Sequence, residues 1–129
     1  MKKIKLVVVL VISILGIFEV NASSNNNDES IIGKWKAVGE EGESIVEIYK
    51  AEDGYFYGKI IEATKKEAIG KTILHKLRYD ESNNEWKGKI ESLKKKMKIN
   101  VTVTLENPEK LKLVGKKMMF TKTFYWTKE

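Results

Sequence analysis

The chain has no cysteine, one histidine and one proline. Without cysteine there is no disulfide and no thiolate nucleophile, so packing alone must hold a folded domain together. A single His75 supplies no H-E-x-x-H pair, and no G-x-S-x-G is present. The usual zinc and nucleophile–base patterns are therefore missing, and no cofactor or metal is expected. The chain also lacks an apolar run of the roughly 20 residues that a membrane-spanning helix needs. Its longest, Leu6 to Phe18, is shorter.

That run has the form of an export signal. It follows Lys2, Lys3 and Lys5 and precedes Val20-Asn21-Ala22, which places small residues before Ser23. Basic start, apolar middle and small-residue end describe a secretory signal peptide over residues 1–22, cleaved after Ala22. An uncleaved N-terminal anchor is the alternative. Residues 23–30 (SSNNNDES) contain nothing apolar and read as a polar tether. Residues 31–129 remain as one small domain, exported to the periplasm or beyond.

The net charge is +6, and the signal segment accounts for part of it, leaving about +4 on the mature chain. The excess lies in Lys65-Lys66, Lys94-Lys95-Lys96 and Lys116-Lys117. Each cluster falls in an expected turn, where lysines solvate loops and blunt sheet edges. The other reading is attraction to anionic headgroups or envelope polyanions.

Residues 97–105 (MKINVTVTL) alternate apolar and polar without a break, the period of a strand with one buried and one wet face. Shorter stretches at 31–38, 43–50, 55–63, 77–80, 85–91, 109–114 and 118–127 are rich in β-branched, aromatic and apolar residues. Turn residues separate most of them, including Asp53-Gly54, Asn83-Asn84, Asn107-Pro108 and Gly115. Residues 64–76 are too long for a tight hairpin, which predicts a short helix or lid there. About eight antiparallel strands in meander order predict an all-β, up-and-down barrel. A five-stranded OB-like barrel is the weaker alternative. An outer-membrane barrel is excluded, because Lys87, Lys89, Lys98, Lys110 and Lys112 fall on the outward face. Each would cost on the order of 2–4 kcal/mol at a bilayer midplane.

Five of the nine glycines precede lysine: Gly33, Gly58, Gly70, Gly88 and Gly115. A phosphate loop needs another glycine five residues earlier. Those positions hold Asp28, Asp53, Lys65, Asn83 and Lys110, so every candidate fails. Gly58 and Gly88 instead fall within strands, where a missing side chain permits a bend or bulge; Gly115 reads as a turn glycine.

The segments GKWKAV, GESIVEIYKAEDGYFYGKI, IGKTILHKL, NNEWKGKI and LKLVGKKMMFTKTFYWTK together resemble the secreted bacterial domain-of-unknown-function family 2147. Trp35, Ser44, Val46, Gly58, Ile60, Gly70, Leu74, Trp86, Gly88, Ile90, Gly115 and Trp126 fall on its pattern. The resemblance implies a lipocalin-like barrel and an envelope location, and no activity. Lys122, Lys128 and Val114 stand where the family prefers arginine, and lysine does not reproduce arginine's bidentate bonding.

Soluble lipocalin-like barrels often begin with a G-x-W strand whose Trp plugs one end beneath a basic side chain. Trp35 would then lie under Lys122 or Lys128 as a cation–π pair. Alternatively Trp35, Tyr57, Trp86, Phe120, Lys122, Phe124 and Trp126 line the interior and bind a small apolar or amphipathic molecule. With these aromatics pointing inward, the interior is expected to be filled or nearly so. Two readings follow: a non-catalytic binding module for such a molecule, or an interaction protein contacting acidic envelope components or a protein partner through lysine-rich loops. His75 reads as a packing or surface residue, and the acidic pairs Glu40-Glu41 and Asp80-Glu81 as solvated turns. Export and the core positions of the aromatics argue against nucleic acid.

Overall fold

The alternation in residues 97–105 belongs to the longest strand of a closed eight-stranded antiparallel barrel. The computed structural model describes residues 28–39 and 42–129. The expected signal peptide, residues 23–27 of the tether and the acidic pair Glu40-Glu41 lie outside the described residues. Residues 31–129 form one compact unit. Its strands are β1 (Gly33–Gly39), β2 (Gly42–Lys50), β3 (Phe56–Ala63), β4 (Thr72–Asp80), β5 (Glu85–Ser92), β6 (Met97–Asn107), β7 (Lys110–Lys117) and β8 (Phe120–Lys128). Each pairs with the next in chain order, and β8 closes on β1 through Trp35↔Lys128 and Lys36↔Thr127.

Two-residue periodicity decides which side chains fill the barrel. Val101 and Val103 of β6, Leu111 and Leu113 of β7, and Val46 and Ile48 of β2 are buried, while Lys98 and Asn100 are exposed. Short turns are held by local acceptors. The Asp80 carboxylate accepts from Ser82 N–H and the Asn83 side chain, and Asn107 Oδ1 accepts from Glu109 N–H at 2.8 Å. No helix among the described residues is long and apolar enough to cross a membrane.

Three boundaries differ from the sequence expectation. The helix or lid over 64–76 is a single 3-10 turn at Lys66–Ala68, and strand β4 already begins at Thr72. Its alternation is hidden by a bulge: the register slips between His75 and Arg78, and Lys76 takes a left-handed φ of 47°. Gly115 lies inside β7 rather than in a turn, opposite Val101. The turn falls three residues later, where Lys117 pairs with Phe120 and leaves Met118-Met119 as the loop.

Candidate functional site

In an up-and-down barrel successive connections alternate between the two ends. One end collects the starts of β1, β3, β5 and β7, and the other collects the starts of β2, β4, β6 and β8. The two ends differ in chemistry.

The first end is plugged. Trp35 is fully buried and donates its indole N–H to the Ile31 carbonyl at 2.9 Å, so the chain entering β1 folds beneath the ring. Lys128 Nζ lies 4.7 Å from the Trp35 ring centroid, a cation–π contact made by the last strand on the first. Of the two lysines considered from sequence, the structure brings Lys128 over the ring. Gly33 makes this approach possible: a Cβ there would stand 2.7 Å from Lys128 Nζ, and its φ of 141° is one L side chains rarely adopt. Gly33→Ala is expected to destabilise the barrel by about 1–3 kcal/mol, read as a lower melting temperature. Lys128→Met should recover part of that loss by relieving the contact, whereas an unchanged loss in the double variant would assign the cost to backbone strain alone.

Behind the plug the interior is occupied by side chains. Trp86 and Trp126 are buried with it, as are Phe56, Leu74, Leu77, Leu111 and Leu113. Three strand glycines mark where space runs out. A Cβ at Gly58 would stand 2.9 Å from Leu74 Cδ1, and one at Gly115 would stand 2.8 Å from Ile99 Cδ1. At Gly88 it would stand 2.6 Å from the His75 carbonyl oxygen.

Of the seven residues expected along the interior, Trp35, Trp86 and Trp126 are buried there and Phe124 is half-buried against the core. Tyr57, Phe120 and Lys122 do not line it. In β3 the buried set is Phe56, Gly58 and Ile60, which turns Tyr57 outward, where it stacks on Tyr49 at 6.1 Å. Phe120 and Lys122 share the parity of Trp126, but they lie at the far end of β8, where both are exposed. Phe56, fully enclosed, escaped the sequence reading because Tyr55-Phe56-Tyr57 offers no polar neighbour to set the phase.

Tyr57 has a separate task. Its hydroxyl donates to Asp53 Oδ2 at 2.6 Å, while Tyr55 N–H donates to Asp53 Oδ1. Donation from Tyr57, then from Tyr55, lowers the Asp53 carboxyl below its ordinary range. The same bond, helped by burial, pushes the Tyr57 phenol up to about 12. A phenol held protonated cannot serve as a base at neutral pH; the pair clamps the 51–55 turn. A folded-state pKa above the unfolded value means the contribution is complete below about pH 10 and is lost as pH rises toward 12. Ultraviolet titration should therefore show one of the five tyrosines ionising late, and Tyr57→Phe should remove that step.

His75 and Glu91 meet on the wall, with Nε2 to Oε1 at 2.9 Å, beside an open depression of about 520 Å³ lined also by Lys71, Thr72, Leu93 and Lys96. Among the described residues no three His, Asp or Glu side chains gather as metal ligands. The pair ties β4 to β5.

The ends also differ in charge. At the Trp35 end, the connections with their flanks (50–56, 80–85 and 106–110) carry seven carboxylates and two lysines. At the opposite end, residues 62–71, 92–98 and 115–123 carry ten lysines and two carboxylates, and the fourth connection there, between β1 and β2, adds Glu40 and Glu41 in its sequence. Glu43, just after the β1–β2 connection, adds an acid there and is ion-paired to Lys36 at 3.6 Å. All three lysine clusters thus share one end. Lys117 Nζ lies 4.0 Å from Met97 Sδ, which joins the β7–β8 hairpin to the start of β6.

A closed eight-stranded up-and-down barrel, plugged by a first-strand tryptophan and polar in charge along its axis, defines the structural class. Residues 33–128 match the family model described as an uncharacterized protein conserved in bacteria, DUF2147. The chain belongs to that family. No curated protein and no solved structure matches it.

Proposed function

We propose that this protein is a non-catalytic binding module of the bacterial envelope, whose working surface is the lysine-rich end of the barrel and whose partner is anionic. The observation that carries this reading is the segregation of charge: ten lysines against five carboxylates (Glu40, Glu41, Glu43, Glu62 and Glu67) in the four connections and flanks at one end, and two lysines against seven carboxylates at the other. Such a pole attracts a polyanion and turns the acidic pole away from it. The leader-like residues 1–22 support export, and the single His75, paired with Glu91, supports a role without catalysis.

The affinity should fall steeply with salt, because exposed charges are screened within about 10 Å at 0.1 M. Reversing charge at Lys94, Lys95, Lys116 and Lys117 to glutamate should abolish retention on an immobilised anionic polymer. Retention of that variant like the wild type rejects the reading.

A second reading keeps a small amphipathic molecule as ligand, but moves it from the interior to the mouth at this same end. Half-buried Ile99, Phe124 and Met97 offer it apolar contact there. All three tryptophans sit at the plugged end of their strands. A brominated fatty acid at the mouth should therefore bind with little tryptophan quenching, whereas deep entry would quench strongly.

A further inference from the structure

The β7–β8 hairpin breaks two local rules at its tip. Its two-residue loop is Met118-Met119, and the first central position has a φ of 54°. Glycine or asparagine ordinarily stands there, because a side chain is strained at positive φ. The loop and the residue after it are also apolar in full solvent: Met118 is 88% exposed, Met119 94% and Phe120 79%. Neither choice helps the barrel fold. Local departures from foldability concentrate where a surface has another task.

The setting of the tip says what that task is. β8 is registered to β1 only at Lys128 and Thr127 among the described residues, so the hairpin carries its tip away from the plugged end. Residues 92–98 and 115–123, on the hairpin and on the β6 side of it, carry seven lysines and no carboxylate, while on the other side the β1–β2 hairpin brings Glu43, already ion-paired to Lys36. A partner must supply an apolar phase for three adjacent side chains and negative charge immediately around it. An acidic polymer offers charge without an apolar phase. A second copy meeting this end symmetrically would bring like-charged lysines face to face, and one docking by its acidic end would offer charge but only the partly covered Ile32, Tyr49 and Tyr125 as apolar contact. An anionic bilayer offers both, with headgroups at the level of the lysines and acyl chains just below.

We propose that the Met118-Met119-Phe120 tip inserts into the interface of an anionic lipid bilayer, with Lys116, Lys117 and Lys122 at the headgroup level. This rests on the reading of the lysine-rich end as the working surface and names its partner as lipid. Met suits such a wedge, being unbranched and adaptable to a fluid surface.

Vesicles of phosphatidylcholine with and without phosphatidylglycerol test it. The wild-type protein should sediment with the anionic vesicles and remain free of neutral ones. In a Met119→Trp variant, lipids brominated on their acyl chains should quench the added tryptophan. In the wild type the three native tryptophans, at the plugged end, should stay bright. The triple variant Met118→Ser, Met119→Ser, Phe120→Ser should melt no lower than the wild type and bind anionic vesicles at least tenfold more weakly. Equal vesicle binding by the triple variant, or no quenching of the introduced tryptophan in bound protein, overturns insertion. If anionic polymer is still bound in that case, the reading of a basic working surface survives. Binding to neither vesicle nor polymer overturns both.

Discussion

Gly88→Val is expected to prevent the barrel from folding, or to leave it folded only at low temperature. A Cβ at this position stands 2.6 Å from the His75 carbonyl oxygen, 2.8 Å from the Lys76 carbonyl oxygen and 2.9 Å from Leu77 Cδ2. Separations below 3.0 Å are essentially never observed for a real Cβ, so something must move. Two of the three atoms are backbone of β4 at its bulge, where Lys76 already takes a left-handed φ. Shifting them would break the β4–β5 pairing on both sides. Overpacking alone costs about 1–3 kcal/mol, and a lost register adds to it. A domain of this size is stable by only roughly 5–15 kcal/mol. Each kcal/mol lowers melting by roughly 4–8 °C, so calorimetry should register a large loss. Lys89→Ala is the control, because Lys89 faces outward and is exposed; its effect should stay within about 0.5 kcal/mol. Unchanged melting of the Gly88 variant would mean that β4 and β5 can separate without cost, and the corner account would fail.

The second large effect is expected from Trp35→Ala, at about 3–5 kcal/mol. The ring is fully buried, anchors the Ile31 carbonyl and carries Lys128 above it. Its removal opens a cavity, orphans a buried acceptor and takes away the cation–π partner of the strand that closes the barrel. Because β8 meets β1 at Lys128 and Thr127, the loss falls where the sheet has least register to spare. Trp35→Phe should cost less, since it keeps most of the volume and a ring face for Lys128 while losing the indole N–H. Denaturation of the two variants by urea should rank them in that order. Equal losses would assign the stabilisation to the hydrogen bond rather than to packing.

These two positions show how the residues encode the barrel. Gly88 sits in a strand whose other members, Trp86 and Ile90, face the core. A glycine in that phase can be read from sequence as a place where something comes close, yet the sequence does not say what. The neighbour is β4, whose bulge also hid its own first half: residues 72–76 have no clean alternation because one extra residue interrupts it. The interior was legible wherever alternation was intact. It was lost at Tyr57, where three aromatics in a row leave the phase undefined, and at Phe120 and Lys122. There the parity was right, but distance along the strand put the side chains outside the packed region.

The basic pole is hidden in the linear sequence for a simple reason. Lys65-Lys66, Lys94-Lys95-Lys96 and Lys116-Lys117 are far apart in the chain and look like three separate solvated turns. In a meander, however, the first, third, fifth and seventh connections share one end. The three clusters occupy the third, fifth and seventh of these, and their meeting depends on the meander being followed without a crossover.

The amino-acid sequence by itself determined the all-β class, the strand number and the dependence on packing, because side-chain alternation and the absence of cysteine are local properties. Family membership followed from short motifs spread over residues 33–128. Only the tertiary structure decided that Lys128 covers Trp35, that Gly33 and Gly88 are points of close approach, and that the methionine tip stands among the lysines of one pole. Each depends on which strands become neighbours and in what register, and closure of β8 on β1 sets that across almost the whole length of the domain.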